Sequence, residues 1–410
     1  MSKQKFIEEN LTTPVRYSCD VCVAGGGVAG IAAALSAARA GRARGSKTEV
    51  ILLERGFMLG GLATAGLVTI YLPICDGMGR QVCYGIADEL LRLSIESAVE
   101  DMYPEAWLEG GDIEERKKKR FQVQYNAQLF AVSAERVLRE AGVRIIYGAT
   151  AVSAHTSDGK ITHINIEGKG GRESIEVRRS VVDATGDGDI CKLSLAKTAI
   201  YEDGNKLAAW YYGYGNGSLK LYMCGVHDTP GALSDTDLPD LKRYSGLDTS
   251  ELSELVEAQH ATFMHNYLER KNSIPDLLPV TISTIPTVRM TRRLVGEYEQ
   301  DISEAEEKAT YPDSVGIYPN WRRRGPVYEL PLRVLYGREV KNLLVAGRCI
   351  SVTDAMWDIT RVIPVCAVSG EAAGAAAALC SDMHCADVEM IREYLREAGV
   401  LVSRNMLENE

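Results

Sequence analysis

The sequence predicts a chain of the α/β class, wound about a largely parallel sheet, and three stretches carry that expectation. Residues 21–30, VCVAGGGVAG, form a short apolar run that breaks into three glycines and resumes at once in the alanine-rich residues 31–40, the pattern of strand, tight turn and helix. Residues 49–54, EVILLE, are a second β-rich run and end in an acid 24 residues after Gly30. Residues 342–346, NLLVA, return near the other end of the chain as a third buried run of the parallel kind.

The first turn has a chemical reading. Gly25, Gly27 and Gly30 fill the pattern G-x-G-x-x-G: the first allows the turn, the second lets backbone approach a pyrophosphate, and the third lets helix and strand pack closely. Phosphates at such a turn meet free amides at the positive end of a helix dipole. Glu54 sits at the tip of the second strand, where a carboxylate accepts from a ribose hydroxyl. Together these predict an adenine dinucleotide, NAD or FAD, and the acid disfavours the extra phosphate of NADP.

Composition narrows the class. The chain has 410 residues, 46% hydrophobic and 25% charged, which predicts a soluble globular protein with a large core. A formal charge of -10 argues against nucleic acid or an anionic membrane as the main partner and leaves a local basic pocket open. The first 20 residues lack the apolar core of a secretion signal, and the ten cysteines are scattered, so reduced thiols and a cytoplasmic location are expected. Residues 362–380 are weakly polar but contain Pro364 and Glu371, which suits a close-packed buried helix better than a membrane span.

Taken in order, residues 1–19 read as a leader and residues 41–48, GRARGSKT, as a basic solvated loop. After Glu54 comes a second glycine-rich turn, GFMLGGLATAGLV; residues 85–97 have helical spacing, and residues 109–120 carry mixed charge suited to a solvated face. Residues 121–141 repeat their apolar positions at helical spacing up to Gly142, and residues 143–147 read as a buried strand. Three β-rich runs follow, around residues 150–155, 161–167 and 174–177, as a small meander; a separate strand at 181–184 then enters the turn ATGDG. Residues 190–335 change character, with Trp210, Tyr211, Tyr212 and Tyr214, an acidic helical stretch at 250–270, and proline-rich loops. They read as an insertion, which divides the chain into residues 1–200, 201–335 and 336–410.

Four separated stretches match one family. DVCVAGGGVAG with LLERGFMLGGLATAG, then AGVRIIYGATAVSA, then VVDATGDGDI, then NLLVAGRCISVTDAMWDITRVIPVCAVSGEAAGAAAAL occur in family order. The chain thereby resembles the bacterial FAD-dependent oxidoreductases of the glutathione-reductase-like fold. That resemblance implies a glutathione-reductase-like FAD-binding Rossmann domain with a β-meander and an inserted α+β substrate or cap domain, with FAD as cofactor. It places Gly25, Gly27 and Gly30 at the pyrophosphate and Glu54 at the adenosine ribose. Gly60, Gly61, Ala63 and Thr64 fall along the ribitol and flavin, and Thr185, Gly186 and Asp187 over the adenine and ribose. Gly347 and Arg348 fall where many relatives carry Gly-Asp at the ribitol, and Pro364, Val365 and Cys366 begin a helix aimed at the flavin pyrimidine. Free amides there stabilise negative charge on a reduced flavin, and a proline in the first helical turn wastes none.

Some family features are missing. The second turn, GGLATAG, lacks the redox cysteine pair of glutathione reductases proper. Cys19 and Cys22 have C-x-x-C spacing, but on a strand such residues point to opposite faces, so they read as separate buried thiols. Gly213, Gly215 and Gly217 lack the following helix and acid of a second dinucleotide site. AGRCIS replaces the Gly-Asp-Ala-Ala-His of flavin hydroxylases, which argues against a monooxygenase. His260 and His265 diverge on a helix, and no metal site is indicated.

The expected chemistry is hydride transfer between flavin N5 and a small polar, anionic organic substrate. Its motive is arginine density: Arg289, Arg292 and Arg293 in VRMTRRL, with Arg361 beside the flavin helix, since a guanidinium holds carboxylates in a planar fork. Arg289 and Arg292 share a face if the segment is helical; the competing reading pairs these arginines with Glu297 and Glu299. Tyr211, Tyr212, Tyr214, His227, Asp354 and Asp358 are open as general bases. Two other readings stay open: a flavoprotein catalysing a reaction without net redox, and a catalytically silent FAD-binding redox sensor. No pattern names the second electron donor or acceptor, or the oligomeric state.

Overall fold

The computed structural model describes residues 7–45, 47–95, 103–225 and 242–407. Its centre is β1 (Val15–Ala24), which runs through the glycine turn into α1 (Val28–Ala43). β2 (Val50–Glu54) pairs parallel with β1, and after α2 (Ile86–Ile95) and α3 (Ala127–Glu140) the strand β3 (Arg144–Tyr147) pairs parallel with β2. The meander follows as β4 (Thr150–Ser157), β5 (Lys160–Gly168) and β6 (Gly171–Asp183). A mixed α/β architecture about a parallel-rich sheet is therefore present.

Four local expectations change. β1 begins at Val15, pairing with Ser174, so the last residues of the expected leader are strand. The helix expected at 121–141 starts only at Ala127: Asn126 caps it through Oδ1, accepting from the amides of Gln128 (3.1 Å) and Leu129 (3.0 Å), and Val123–Gln124 pairs with Ile70–Tyr71 instead. β3 is the half-buried edge of its sheet and not a buried strand. The runs expected separately at 174–177 and 181–184 are one continuous strand, β6, whose residues 171–176 pair with β5 while residues 174–183 pair with β1.

A register shift between Cys19 and Val21 also alters the cysteine reading. It brings both thiols to one side, and the hydrogen bond from Cys19, with burial, pushes the Cys22 pKa well up. Both are fully buried.

Residues 190–335 build two layers. β7 (Ala208–Gly215), β8 (Ser218–Gly225), α4 (Thr249–Ser273) and β9 (Leu278–Ile282) form a three-stranded antiparallel sheet in the order β8-β7-β9, covered by a helix. Its own small core holds Ala209, Tyr211, Tyr222, Cys224 and Leu277, with Tyr211 stacked on Tyr222 at 5.0 Å. Arg292–Leu294 instead pairs with Thr198–Ile200, and β10 (Ser314–Pro319) with β11 (Val327–Pro331) puts Val315, Ile317 and Leu330 into the main core.

The chain then returns: β12 (Leu343–Val345) pairs parallel with Val181–Asp183 of β6, followed by α5 (Asp354–Thr360), α6 (Ile363–Leu379) and α7 (Val388–Glu397). The full order is β3-β2-β1-β6-β5-β4, with β12 also on β6. α6 lies on α1 so closely that a Cβ at Gly370 would stand 2.2 Å from the Ala29 carbonyl oxygen, and one at Gly374 2.1 Å from that of Ala33. Between them Glu371 is buried; its carboxylate accepts from the Ile86 amide (2.9 Å), and burial raises its pKa to about 8.

Candidate active site

The three glycines of the first turn do different work. Gly25 has φ +101°, and a Cβ there would stand 2.4 Å from the carbonyl oxygen of Ala184. A Cβ on Gly30 would stand 1.8 Å from the Gly25 oxygen, so this glycine serves helix-to-strand packing. A Cβ on Gly27 would meet nothing within 4 Å and would project into open space at the start of α1, where no side chain caps the amides. That is a cradle for an anion which any larger residue would fill.

Glu54 ends β2 at this turn. Its Oε2 accepts from the Gly26 amide at 2.9 Å and its Oε1 from Gly56 at 2.6 Å, which fixes the carboxylate at the rim and leaves lone pairs for a further donor. The second turn is tied to the first by Gly60 N–H to Gly26 O, 2.8 Å. In the ATGDG turn the buried Asp183 accepts from the Thr185 amide (3.1 Å) and hydroxyl (2.7 Å) and from the Cys191 amide (3.0 Å). Asp187 accepts from Thr291 Oγ1 at 2.9 Å and pairs with Arg348 at 3.5 Å. Arg348 also donates to the carbonyls of Val288 and Arg289, so it anchors the loop above the ATGDG turn.

These turns border one cavity of about 1880 Å³, larger than the roughly 300–1,000 Å³ of a single drug-sized site. Gly25, Gly27, Glu54, Gly60, Gly61, Ala63, Thr185, Gly186, Asp187, Gly347, Arg348 and Cys366 are in its wall. Gly30, Thr64, Pro364 and Val365 stand behind it: Thr64 donates to Leu59 O at 2.5 Å, and Pro364 and Val365 are buried in the first turn of α6. That turn meets the cavity through Val362, Ile363 and Cys366, whose thiol is pushed up to about 12 by burial. The open cradle at Gly27, the acid at β2 and the helix start beyond fit an adenine dinucleotide that extends toward α6.

The arginine expectation needs correcting. Arg292 and Arg293 lie on a strand, so no helical face is shared with Arg289. Arg292 donates to Gly188 O (3.2 Å) and pairs with Asp189 at 3.7 Å, while burial raises the Asp189 carboxyl to about 6. Arg293 pairs with Glu299 (3.3 Å) and Asp354 (3.0 Å), close to the competing reading. Arg289 reaches the wall with its guanidinium 5.8 Å above the Trp210 ring. Arg361 also lines the cavity and binds Asp358 Oδ1 at 2.7 Å.

Two further arginines share this end. Arg322 binds the same Asp358 carboxylate, with Nη2 at 2.9 Å from Oδ1. Although burial opposes it, the two guanidinium groups hold the Asp358 carboxyl below its usual range. Arg120, at the end of a stretch expected to be solvated, turns inward and donates to the carbonyls of Trp321 (2.5 Å), Asn320 (3.1 Å) and Arg323 (3.3 Å). The run NWRRRG at 320–325 was the signal available for Arg322; for Arg120 there was none.

Of the candidate bases, none that is described lines the cavity. Tyr211 is in the small core, Tyr212 hydrogen-bonds Thr69 (2.6 Å), Tyr214 is exposed, and Asp354 and Asp358 are paired with arginines. His227 lies outside the described residues.

Fold and cavity thus define a dinucleotide-binding enzyme of the α/β class. The chain belongs to the FAD dependent oxidoreductase family, whose model matches residues 20–209 and 219–398. It is an oxidoreductase, and its cofactor is FAD. No curated protein matches it. Among solved structures it is similar to p-nitrophenol 4-monooxygenase from Pseudomonas putida DLL-E4, with 12% identity, a TM-score of 0.49, and coverage of 93% of this chain and 84% of that one. A geranylgeranyl bacteriochlorophyll reductase-like protein from Thermoplasma acidophilum shares 13% identity with a TM-score of 0.45, over 93% and 83% of the two chains. 3-Ketosteroid-delta4-(5alpha)-dehydrogenase from Rhodococcus jostii RHA1 shares 16% identity with a TM-score of 0.38, over 89% and 98%. Among the described residues no single helix is long and apolar enough to cross a membrane.

Proposed function

We propose that the chain is a dehydrogenase or reductase of glutathione-reductase-like architecture that transfers a hydride between FAD and an anionic organic substrate. In this reading residues 1–200 and 336–410 hold FAD and residues 201–335 form the inserted cap. The observation that carries it is that one cavity runs from the dinucleotide turns to a wall that carries Arg120, Arg289, Arg322 and Arg361.

Bound FAD supplies a hydride donor or acceptor at N5. The uncapped amides at Gly27 and the first turn of α1 receive the pyrophosphate, and Glu54 accepts from the adenosine ribose. Gly60, Gly61, Ala63 and Gly347 put small residues in the wall where the ribitol and ring lie. The α6 start, at Val362 and Ile363, turns the positive end of a 17-residue helix dipole to the cavity and so favours negative charge developing there. Arg361, on the turn between α5 and α6, orients the substrate anion next to that charge, with Asp358 fixing its guanidinium.

An absorption spectrum of the purified protein, followed by anaerobic addition of organic acids, tests this. Released FAD with flavin bleaching by an acid is the expected result. Retained FAD that no substrate bleaches, while a substrate still turns over, assigns chemistry without net redox; no turnover at all assigns a sensor. Arg361→Ala keeping full turnover with a known substrate removes the orienting role.

A further inference from the structure

We infer that the substrate is an amphipathic carboxylate, its acid group bound between Arg120, Arg322 and Arg361 and its flat apolar body laid against Trp321 and the Ile70–Leu72 wall. This rests on the reading of the cavity as the substrate site, and it replaces a short polar acid with a larger molecule.

The acid end is built and rigid. Arg322 and Arg361 are a single oxygen atom apart, both bound to Oδ1 of Asp358. Arg120 is held beneath them by three carbonyls of the 320–323 backbone. That backbone is itself fixed, since Asn320 Oδ1 accepts from the amides of Arg322 and Arg323, each at 2.9 Å. Three guanidinium groups gathered here, two of them on the same carboxylate, concentrate positive charge in a chain of net charge -10. Guanidinium groups pinned this way are fixed in place before a planar anion arrives; the Nε–Nη2 fork of Arg322 is itself on Asp358.

The rest of the wall asks for something apolar. Trp321 lines the cavity with its ring braced by Arg322, 4.1 Å above it, and its Nε1 donates to the Asp358 carbonyl at 3.0 Å. Ile70 and Leu72 stand in the same wall, on the segment that pairs with Val123–Gln124. An acid of two or three carbons would satisfy the arginines and leave this surface wet, whereas a planar ring system takes it out of water. A braced indole face suits stacking on such a ring.

The probes are 2-naphthoate, the neutral 2-naphthylmethanol, and acetate, titrated into FAD-loaded protein by calorimetry with the flavin spectrum recorded. The acid should bind at least about tenfold more tightly than either control, by the worth of a charge-assisted hydrogen bond. Arg322→Gln should weaken 2-naphthoate by about tenfold to a hundredfold and leave 2-naphthylmethanol and flavin content unchanged. Arg322→Lys, which keeps the charge without the fork, should fall between. Equal binding of acid and alcohol, acetate as tight as 2-naphthoate, no binding of 2-naphthoate, or an equal effect of Arg322→Gln on acid and alcohol overturns the inference. Binding in the expected pattern with no acid ever bleaching the flavin would leave this substrate class standing and remove hydride transfer. Bleaching by a short acid with no binding of 2-naphthoate would do the reverse.

Discussion

Replacing Glu371 by glutamine separates a buried carboxyl from its charge. The side chain is enclosed by α1, α2, α6 and α7, where Arg39, Glu89 and Tyr394 border the same small cavity of about 350 Å³. Arg39 is committed to Glu89 through two bonds of 2.6 and 2.8 Å, so its charge does little for Glu371. Burial is the largest influence, and it moves the carboxyl from 4.5 to about 8. Below pH 4.5 folded and unfolded chains both carry the proton and the residue costs nothing. As pH rises from there to about 8 the folded state alone keeps the proton, and stability is lost until the folded carboxyl ionises.

At about 1.4 kcal/mol for each tenfold in proton affinity, that rise sets a ceiling of about 5 kcal/mol. The glutamine carbonyl can still accept from the Ile86 amide and has nothing to titrate. Denaturant unfolding of the apoprotein, wild type and Glu371→Gln, from about pH 5 to about pH 9 reads the difference directly. The variant should gain on the wild type by up to about 1.4 kcal/mol per pH unit and stop gaining above about pH 8. A difference that stays constant across this range would mean that the carboxylate is ionised throughout, and would refute burial as the controlling effect.

Other substitutions divide packing from binding. Gly27→Ala should leave apoprotein stability within about 0.5 kcal/mol and sharply reduce FAD retention, whereas Gly30→Ala should destabilise the apoprotein by about 1–3 kcal/mol, both read by unfolding with and without FAD. Asp358→Asn removes the carboxylate that fixes Arg322 and Arg361, so 2-naphthoate should bind more weakly by calorimetry; tighter binding would show that Asp358 competes with the anion instead. Serine at both Cys19 and Cys22 should cost about 1–3 kcal/mol in denaturant unfolding and leave the flavin spectrum and reduction unchanged, because both thiols are buried in the sheet.

The glycine turns and Glu54 were legible because their roles are local: a turn needing positive φ and an acid at a strand tip can be read from neighbours in sequence. The same holds for α6, where Pro364 marks the first turn. Phe121 misled because its apolar spacing continues that of the helix, and only Asn126 shows where capping wins. The two cysteines misled because a register shift is a property of two paired strands, and neither strand announces it alone. Arg120 was hidden among charges of both signs; what turns it inward is the 320–323 backbone, 200 residues away. Arg292 and Arg293 were conspicuous by type, yet their strand pairing with Thr198–Ile200 and acids brought in by the fold occupy them.

The seating of α6 against α1 has a consequence for biosynthesis. The first helix is almost wholly buried, and its main partner begins 335 residues later in the chain. A nascent polypeptide on the ribosome therefore carries an uncovered alanine face through most of translation, the kind of surface that holdase chaperones shield. Cys366 and the helix start at Ile363 emerge only with that late helix, so the flavin cannot be enclosed by a chain halted before it. Cofactor loading is then a closing event of synthesis, and a chain truncated ahead of Ile363 should emerge colourless however much FAD the cell supplies.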